Sequence, residues 1–518
     1  MLSRVWSRAV LGVDALPIEI ETHIEPNLPR WTVVGLPDGA VRESRDRIIA
    51  ALANSDLPRP RGAITINLAP ADVRKEGSAF DLPMALGLLA ASGRNGPLIP
   101  AEALADVVIV GELSLDGSVR PVRGVLPMAA HARKSGARAM IVPAGNAPEA
   151  AVVDGLEVYA VGTLREAFGL LAEHGGHGEP FVRRPPSETP DRLSVEDFAD
   201  VKGQEGVKRA LEVAAAGGHN ALMVGPPGSG KTMLARRLPG ILPPLTNAEA
   251  LETTKIHSVG GMLNGAARHG LVTERPFRAP HHTISNAGLC GGGSNPMPGE
   301  ISLAHHGVLF LDELPEFERS VLEVLRQPLE EGAVTIARAR ATVHFPARFM
   351  LVASMNPCPC GHAGDPHKPC VCAPGQVQRY LAKVSGPLLD RIDLHVEVTP
   401  VPFDDLNRDR PAEPSENVRQ RVVAARERQA ERFAETDTHC NAHMRARDVR
   451  RYCKPDAAGQ QLLKAAIERL GLSARAHDRV LKVARTIADL AGEETVTATH
   501  VAEAVQYRSL DRSGWGMG

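Results

Sequence analysis

Eight consecutive residues have the composition and spacing needed to bind a phosphate chain. They are Gly225, Pro226, Pro227, Gly228, Ser229, Gly230, Lys231 and Thr232. Glycines let backbone N–H groups wrap phosphates, and Lys231 and Thr232 are predicted to bind the β/γ-phosphates and Mg²⁺. The apolar run Asn220–Val224 predicts a strand before this P-loop, and Thr232–Leu238 predicts a helix after it. A chance glycine-rich turn is the alternative, but it does not explain why strand, loop and helix occur together.

A second apolar run ends in two carboxylates of the kind that ATP hydrolysis requires. Gly307–Leu311 comes directly before Asp312 and Glu313. A P-loop enzyme needs one acid to hold Mg²⁺ and a polar group to orient the attacking water. Asp312 is predicted to take the first role and Glu313 the second, so ATP and Mg²⁺ are the predicted cofactors. An ordinary acidic strand end is the alternative, and it fits this position downstream of a P-loop less well.

Three further polar residues follow in chain order. Asn356 ends another apolar run, and an amide there can orient water near the γ-phosphate. Arg391 lies just before a predicted strand, and Arg475 opens the predicted helix Ala476–Leu490, for which Ser473 is the expected N-cap. Arginines can stabilise the charge that spreads over a transferred phosphoryl group. Taken singly, each arginine is more often a solvated surface residue.

Four of the seven cysteines form two close pairs separated by nine residues. They are Cys358, Cys360, Cys370 and Cys372. Four thiolates suit a tetrahedral Zn²⁺, although Cys-x-Cys is tighter than the common Cys-x₂-Cys spacing. His362 or His367 could replace one of the cysteines. Free cysteines in a loop remain the alternative to a metal site.

The composition limits the kinds of protein that this chain can be. It has 518 residues, 43% apolar content, a net charge of −2 and only 3% aromatic residues. Any nucleic-acid site must therefore be a local basic patch, and the low aromatic content disfavours recognition of single strands by stacking. No apolar run approaches the roughly 18 residues that span a bilayer. We expect a soluble cytoplasmic protein without a disulfide framework.

Changes in composition divide the chain into segments. Residues 1–172 alternate short strands and helices, and residues 173–194 form a Gly/Pro-rich linker. Residues 195–400 carry the nucleotide motifs. After a second break rich in Pro, Asp and Arg, residues 415–510 show helical periodicity. The pattern predicts an α/β protein with a helical C-terminal region.

The motifs in this order resemble those of the AAA+ ATPases. Asn356 resembles sensor 1, Arg391 the arginine finger and Arg475 sensor 2, while Gln204 lies in a segment similar to the one near the adenine. The resemblance implies an ATP hydrolase. It also implies a homo-oligomeric ring, expected to be hexameric, because the finger of such ATPases acts on a neighbour's nucleotide.

Longer strings resemble the magnesium chelatase-like bacterial family called YifB or ComM. They are Arg278–Thr283, Gly291–Ala304 and Asp312–Phe317, and the resemblance runs over nearly the whole chain. It implies an insertion in helix 2 near Gly288–Gly299. It also implies a hairpin before sensor 1, at Ala333–Phe345, and a C-terminal helical lid.

The N-terminal segment resembles the Lon-protease-like (ribosomal S5 domain 2-like) α/β fold. The strings that carry this resemblance are Ala71–Pro83 and Leu115–Val122. The Lon nucleophile would fall near Ala79 and its lysine near Leu126, and neither position holds the required group. Ser78 and Lys75 are close in sequence but out of register with the nucleophile–base geometry. We therefore expect a non-proteolytic domain, acting as a scaffold or as a collar that guides DNA.

The function predicted from these features is an ATP-driven DNA motor. The family resemblance implies a helicase that promotes branch migration in recombination during natural transformation, with forked, branched or single-stranded DNA as its partner. Arg338 and Arg340 lie at the predicted hairpin tip, where they could follow a phosphate backbone. A solvated hairpin is the alternative interpretation of these two arginines.

Two other function classes remain open. One is a chelatase-type AAA+ ATPase that remodels a protein partner, with metal insertion as its specific case. The other is an ATP-dependent protease, which the residues at Ala79 and Leu126 disfavour.

Overall fold

The N-terminal residues form a sheet that packs one face on a hydrophobic core, because buried and more exposed side chains alternate along its strands. In the strand Ala63–Ala69, the side chains of Ile64, Ile66 and Leu68 are buried and the intervening ones are less so. The strands of this region are β1 Leu2–Leu11, β2 Asp14–Glu25, β3 Arg30–Val34, β4 Ala63–Ala69, β5 Val107–Ile109, β6 Glu112–Leu113, β7 Val119–Arg120, β8 Ala139–Pro143 and β9 Glu157–Val161. One sheet has the order β3-β4-β2-β1-β5-β8-β9, and β6 pairs with β7. The alternation of short strands and helices predicted for residues 1–172 is confirmed in this region.

The computed structural model describes residues 2–93, 96–183, 196–263, 270–293, 296–338, 341–363, 368–401, 412–436 and 438–508. Two units emerge from the contacts within the chain. The first contains residues 1–190, 247–273 and 337–345, and the second contains residues 191–246, 274–336 and 346–518. Within the described ranges, no helix combines the length and apolar character needed to cross a membrane.

Helices cover the sheet of the first unit. They are Gly39–Asn54, Asp81–Ala91, Ala101–Leu104, Val125–Lys134, Ala147–Ala150, Leu164–Ala172 and Asn247–Gly260. Every residue of Asp81–Ala91, which contains the apolar run at 82–90, is buried. Its one carboxylate, Asp81, accepts two hydrogen bonds from Arg47, at 2.6 and 2.9 Å. Burial raises the pKa of Asp81 to about 6, although Arg47 opposes the shift.

The second unit is built on a parallel sheet of short buried strands. They are β10 Ala221–Val224, β11 Phe277–Arg278, β14 Val308–Leu311, β17 Met350–Met355 and β18 Leu394–Glu397. Their order is β11-β14-β17-β10-β18, with β10 parallel to both β17 and β18. Two small hairpins lie outside this sheet, and residues 337–345 of the second hairpin belong to the first unit. One pairs β12 Gly291–Gly292 with β13 Met297–Pro298, and the other pairs β15 Ala333–Arg338 with β16 Ala341–Pro346.

Helices pack on this sheet and form the C-terminal region. They are Glu205–Gly217, Lys231–Arg237, Asn286–Cys290, Glu300–Leu303, Arg319–Glu323, Arg326–Glu331, Pro374–Leu381, Gly386–Leu389, Ser415–Arg432, Ala446–Tyr452, Ala457–Leu470, Ala474–Ala491 and Ala498–Gln506. The predicted N-cap is confirmed, because Ser473 Oγ accepts a hydrogen bond from Ala476 N at 3.2 Å. The predicted fold class is also confirmed: the chain is α/β, with a parallel P-loop sheet and a helical C-terminal region.

A buried polar network joins the parallel sheet to the C-terminal helices. Asp393 Oδ2 lies 3.2 Å from His219 Nδ1, and its other oxygen accepts a hydrogen bond from Arg479. His219 Nε2 lies 2.8 Å from Thr486 Oγ1. Burial alone would raise the pKa of Asp393, but Arg479 and His219 hold it well below its usual range. The network therefore fixes helix Ala474–Ala491 to the strand that follows Asp393.

Candidate ATP-binding and hydrolysis site

The P-loop connects β10 to helix Lys231–Arg237, as the sequence predicts. Gly225 must be a glycine, because a Cβ atom there would lie 2.1 Å from the carbonyl oxygen of Val398. The buried Lys231 Nζ donates hydrogen bonds to the carbonyls of Gly225 at 2.7 Å and Pro226 at 2.8 Å. Burial lowers its pKa, and the nearby Asp312 opposes that shift. A phosphate would offer this ammonium group a charged acceptor in place of neutral carbonyls.

Asp312 lies directly beside the P-loop threonine. Thr232 Oγ1 donates a hydrogen bond to Asp312 Oδ2 at 2.7 Å, and Ser354 Oγ donates to Oδ1. Mg²⁺ prefers oxygen ligands and is usually held by one or two carboxylates together with substrate phosphates. The hydroxyl of Thr232 and the carboxylate of Asp312 are such a donor set, so these residues fit Mg²⁺ in a nucleotide complex.

Glu313 has an unusual backbone conformation for its position at the end of β14. Its φ is +54°, in the left-handed region that residues with a Cβ atom rarely adopt. Its side chain is 57% exposed, and Oε2 lies 3.6 Å from His282 Nδ1. Strain of this kind is often found at functional sites. The charge of Glu313 opposes the lowering of the Lys231 pKa, so its carboxylate lies within electrostatic reach of the P-loop lysine.

Asn356 and Gln204 complete the surroundings of the loop. Asn356 Oδ1 lies 3.3 Å from Lys231 Nζ, so the end of β17 contacts the P-loop lysine. Gln204 Nε2 donates hydrogen bonds to Thr399 O at 2.5 Å and to Ser229 O at 3.4 Å. The structure thus brings the P-loop, Asp312, Asn356 and Gln204 together.

Arg391 lies at the opposite edge of the sheet. In the register of β10 with β18, Ala221 pairs with Leu394 and Val224 pairs with Glu397. The P-loop follows Val224, whereas Arg391 precedes Leu394, so about 13 Å of strand separates them at about 3.3 Å per residue. The side chain of Arg391 is therefore too far away to reach the phosphate-binding loop of its own chain.

Arg475 lies near Arg391, in a cavity of about 200 Å³. Four cations and three acids line this cavity: Arg391, Arg475, Arg479, Lys482, Glu330, Asp390 and Asp478. The buried Arg391 donates hydrogen bonds to the carbonyl of Pro387 at 2.5 Å and to the carboxylate of Glu330. Its Nε is buried and has no hydrogen-bond partner among the described residues. Both predicted arginines therefore share one cationic cavity at the amino edge of the sheet.

Several residues of these two sites are missed by sequence reasoning. Ser354 is an unremarkable strand residue in the sequence, yet it binds the carboxylate of Asp312. Glu330 gives no signal, because it binds Arg391 from 61 positions away. His282 lies in the string Arg278–Thr283, and the resemblance of that string to the family is the signal that could have indicated this residue.

The predicted metal cluster is assembled in the loop between β17 and helix Pro374–Leu381. Cys358 Sγ lies 3.3 Å from Cys360 Sγ and 3.6 Å from Cys370 Sγ, and Cys372 belongs to the same cluster, whose sulfur atoms all lie within 4.8 Å of one another. Four Zn–S bonds of about 2.3 Å in a tetrahedron would separate the sulfurs by about 3.8 Å. The cluster could therefore hold a metal ion. His367 lies outside the described residues.

The other predicted site residues lie on the hairpin and in the first unit. Arg338 ends β15 and is exposed, while Arg340 lies outside the described residues. In the first unit, Ser78 Oγ donates to Glu112 and Lys75 Nζ donates to the carbonyl of Pro70. Ser78 and Lys75, the two side chains that could stand in for the Lon serine–lysine dyad, thus form hydrogen bonds with different groups.

Comparison with known families gives matches along most of the chain. Residues 197–406 match the model for magnesium chelatase, subunit ChlI. Residues 20–146 match a second model for subunit ChlI of Mg-chelatase, and residues 412–508 match its C-terminal region.

Two proteins are similar over nearly their full length. The chain is 46% identical over 513 residues to protein YifB of Escherichia coli, which covers 99% of this chain and 98% of that protein. It is 46% identical over 515 residues to competence protein ComM of Haemophilus influenzae, with the same coverage. A shorter stretch is similar to DNA repair protein RadA of H. influenzae, with 31% identity over 31% of this chain and 33% of RadA. Another match is to Lon protease 2 of Bacillus subtilis, with 34% identity over 27% of this chain and 24% of that protein.

Replacing Glu313 by glutamine should leave nucleotide binding intact and lower ATP turnover by roughly 10²–10⁴-fold, because the water loses its orienting group. Lys231→Ala should instead weaken nucleotide binding. Steady-state ATPase assays and titration with a fluorescent ATP analogue measure the two effects. Glu318→Gln removes an exposed carboxylate nearby and serves as the control. Near wild-type turnover in purified Glu313→Gln would refute the role of Glu313.

Arg391→Ala should retain ATP binding and lower hydrolysis by roughly 10³-fold, the lower end of the range for an arginine finger. Mixing Arg391→Ala with Lys231→Ala subunits should restore part of the activity, because one interface then has both an intact loop and an intact arginine. ATPase rates of such mixtures, with assembly checked by light scattering, provide the measurement. Arg469→Ala, an exposed arginine of the helical region, is the control. Absence of rescue in verified mixed assemblies would argue against action on a neighbour.

Proposed function

The chain belongs to the YifB/ComM family of magnesium chelatase-like AAA+ proteins, and on this premise we propose that it is an ATP-driven, ring-forming DNA motor. The family implies ATP and Mg²⁺ as cofactors. The observation that carries the proposal is the convergence of Lys231, Thr232, Asp312 and Asn356 at one edge of the parallel sheet. We propose that the work of the motor is helicase activity that moves branched DNA junctions during recombination.

The proposed roles of the site residues follow from their contacts. Lys231 exchanges its two loop carbonyls for phosphate oxygens, while Thr232 and Asp312 would hold Mg²⁺. The metal, when bound with ATP, neutralises charge that develops on the phosphates. Glu313 orients the attacking water and Asn356 fixes its position beside the γ-phosphate. Gln204, from the segment that precedes helix Glu205–Gly217, borders the nucleotide.

A ring is proposed because each chain carries the two halves of a hydrolysis site at opposite edges of its sheet. The P-loop lies at the carboxyl edge, and Arg391 and Arg475 lie at the amino edge. Stacking one subunit on the next in a closed cycle would place these arginines near a neighbour's phosphates. The ring is proposed to be hexameric, as the AAA+ resemblance implies.

The DNA assignment is supported by the names of two similar proteins and by one exposed cation. ComM is named a competence protein and RadA a DNA repair protein. Arg338 is exposed at the end of β15, on the hairpin proposed to face the channel of the ring. Arginines there would contact phosphates and carry no base information, so binding should be independent of sequence. The Lon-like N-terminal unit is proposed to be a non-proteolytic scaffold or collar.

The alternative function is remodelling of a protein partner by a chelatase-type ATPase. The family models that match this chain are those of the magnesium chelatase subunit ChlI, which is the observation in its favour. The two functions differ in whether DNA alters the ATPase rate.

We also propose that Cys358, Cys360, Cys370 and Cys372 hold one structural Zn²⁺. Backbone N–H groups point at their sulfurs, among them those of Cys360 toward Cys372 Sγ and Ala363 toward Cys358 Sγ, both at 3.3 Å. Such outer-shell hydrogen bonds orient thiolate ligands and balance their charge.

The double substitution Arg338→Ala, Arg340→Ala should reduce DNA-stimulated ATPase activity and unwinding while basal ATPase activity survives. Binding of forked and four-way DNA by the wild type should weaken with salt, and the variant should show a shallower salt dependence because fewer phosphates are contacted. Fluorescence anisotropy at several salt concentrations and ATPase assays with and without DNA provide the measurements.

The matched control for this experiment is Arg319→Ala, which removes an exposed arginine outside the hairpin. It should leave DNA stimulation unchanged. If DNA neither binds the wild type at low salt nor changes its ATPase rate, the DNA-motor proposal fails and the protein-remodelling alternative replaces it.

Protein purified without chelator should contain about one equivalent of zinc per chain, since four thiolates complete a closed tetrahedral site. Mass-spectrometric metal analysis provides the measurement. Cys290→Ser, which changes a cysteine outside the cluster, should not alter the zinc content. Less than about a tenth of an equivalent in the wild type would exclude the site, because structural zinc is tightly bound at neutral pH.

A further inference from the structure

The loop that carries the four cysteines packs directly on the P-loop. Gly361 follows Cys360 and has a φ of +86°, within a turn closed by its hydrogen bond to Cys358 O at 3.0 Å. A Cβ atom on Gly361 would lie 2.4 Å from Cδ and 2.7 Å from Cγ of Pro227, which belongs to the P-loop. The backbone of the cysteine loop and the ring of Pro227 are therefore in van der Waals contact, with no space for a side chain.

The second cysteine pair is connected to the other side of the same site. Helix Pro374–Leu381 begins two residues after Cys372 and carries Tyr380. Tyr380 is buried and makes a hydrogen bond with the backbone of Asn356, and burial raises its pKa to about 12. Asn356 in turn lies 3.3 Å from Lys231 Nζ. Closing the two pairs around one ion would thus fix the P-loop through Pro227 and the end of β17 through Tyr380.

We infer that Zn²⁺ in the four-cysteine cluster is a clamp on the ATP site, so that metal occupancy controls the capacity of the protein to bind and hydrolyse ATP. The inference rests on the proposed zinc site and ATPase activity, and it adds that ATP binding and hydrolysis depend on the bound zinc. Four Zn–S bonds would join the first cysteine pair to the second across the segment that separates them. Loss of the ion releases Gly361 from Pro227 and Tyr380 from Asn356.

The first test uses a variant that keeps every cysteine. Gly361→Ala should bind zinc like the wild type, because no ligand is changed, while its dissociation constant for a fluorescent ATP analogue rises at least about tenfold. Its ATPase rate should fall accordingly. Gly375→Ala, at a glycine with open space around its Cβ position, is the matched control and should behave like the wild type. Wild-type nucleotide binding by a zinc-loaded Gly361→Ala protein would overturn the inference.

The second test uses the unmodified full-length protein, so it does not depend on the folding of a variant. Zinc is removed with a chelator, and zinc content, nucleotide affinity and ATPase rate are measured before removal, after removal and after addition of Zn²⁺. Affinity should fall at least about tenfold with the metal and recover with its return. Unchanged affinity in zinc-free protein that keeps its circular dichroism spectrum would overturn the inference, as would a wild-type protein that never contains zinc.

These outcomes are distinguishable from failure of the proposed DNA function. Nucleotide affinity is measured without DNA, so a protein that ignores DNA can still show zinc-dependent ATP binding. Conversely, DNA-stimulated ATPase activity that persists in zinc-free protein would leave the motor proposal intact and overturn the clamp.

Discussion

The parallel register of β10 with β17 and β18 is the constraint on which the second unit depends. Because all strands run the same way, the loops after β10, β14 and β17 meet at one edge of the sheet. That edge collects the P-loop, Asp312 and Asn356, whereas the loop before β18 places Arg391 at the other edge. Four residues of strand separate the P-loop from Arg391, and side-chain rotation cannot bridge such a distance.

The helical region holds the arginine half-site in place through buried charge. Asp393 receives hydrogen bonds from Arg479, on helix Ala474–Ala491, and also lies against His219. Removing one partner of a buried ion pair leaves an uncompensated charge and costs roughly 3–5 kcal/mol. Arg475 lies in the first turn of the same helix, so the network that fixes the helix also fixes the second arginine of the cavity. The sheet and the helices therefore hold Arg391 and Arg475 in fixed positions relative to one another.

The sequence predicts those parts of the molecule whose signals are local. The P-loop is a contiguous string between a strand and a helix, and Asp312 and Asn356 directly follow apolar strands. The pairing of Arg391 with Glu330 and the left-handed backbone of Glu313 depend on tertiary packing, which hydrophobic periodicity does not encode.

Local sequence signals also do not reveal which segments of the chain belong to which of the two units. Helix Asn247–Gly260 follows the P-loop helix in sequence but belongs to the first unit. There Ser258 Oγ donates a hydrogen bond to the buried Glu149 at 2.7 Å, and Ser258 O accepts one from Gly124 N at 3.1 Å. These contacts join residues more than a hundred positions apart, and they have no signature in composition or spacing. Hydrophobic periodicity therefore does not indicate which core this helix joins.

The pairing of Arg391 explains how a free subunit could keep its arginine ready for a neighbour in the proposed ring. The guanidinium is buried, but its carboxylate partner Glu330 is 57% exposed. If Glu330 were lost without a replacement, the buried guanidinium would be left without its charged partner, which is costly. A phosphate at the cavity would offer charged oxygens that a guanidinium can bind with two parallel hydrogen bonds. In the proposed ring, a neighbour's phosphate could therefore take the place of Glu330 while Arg391 stays paired.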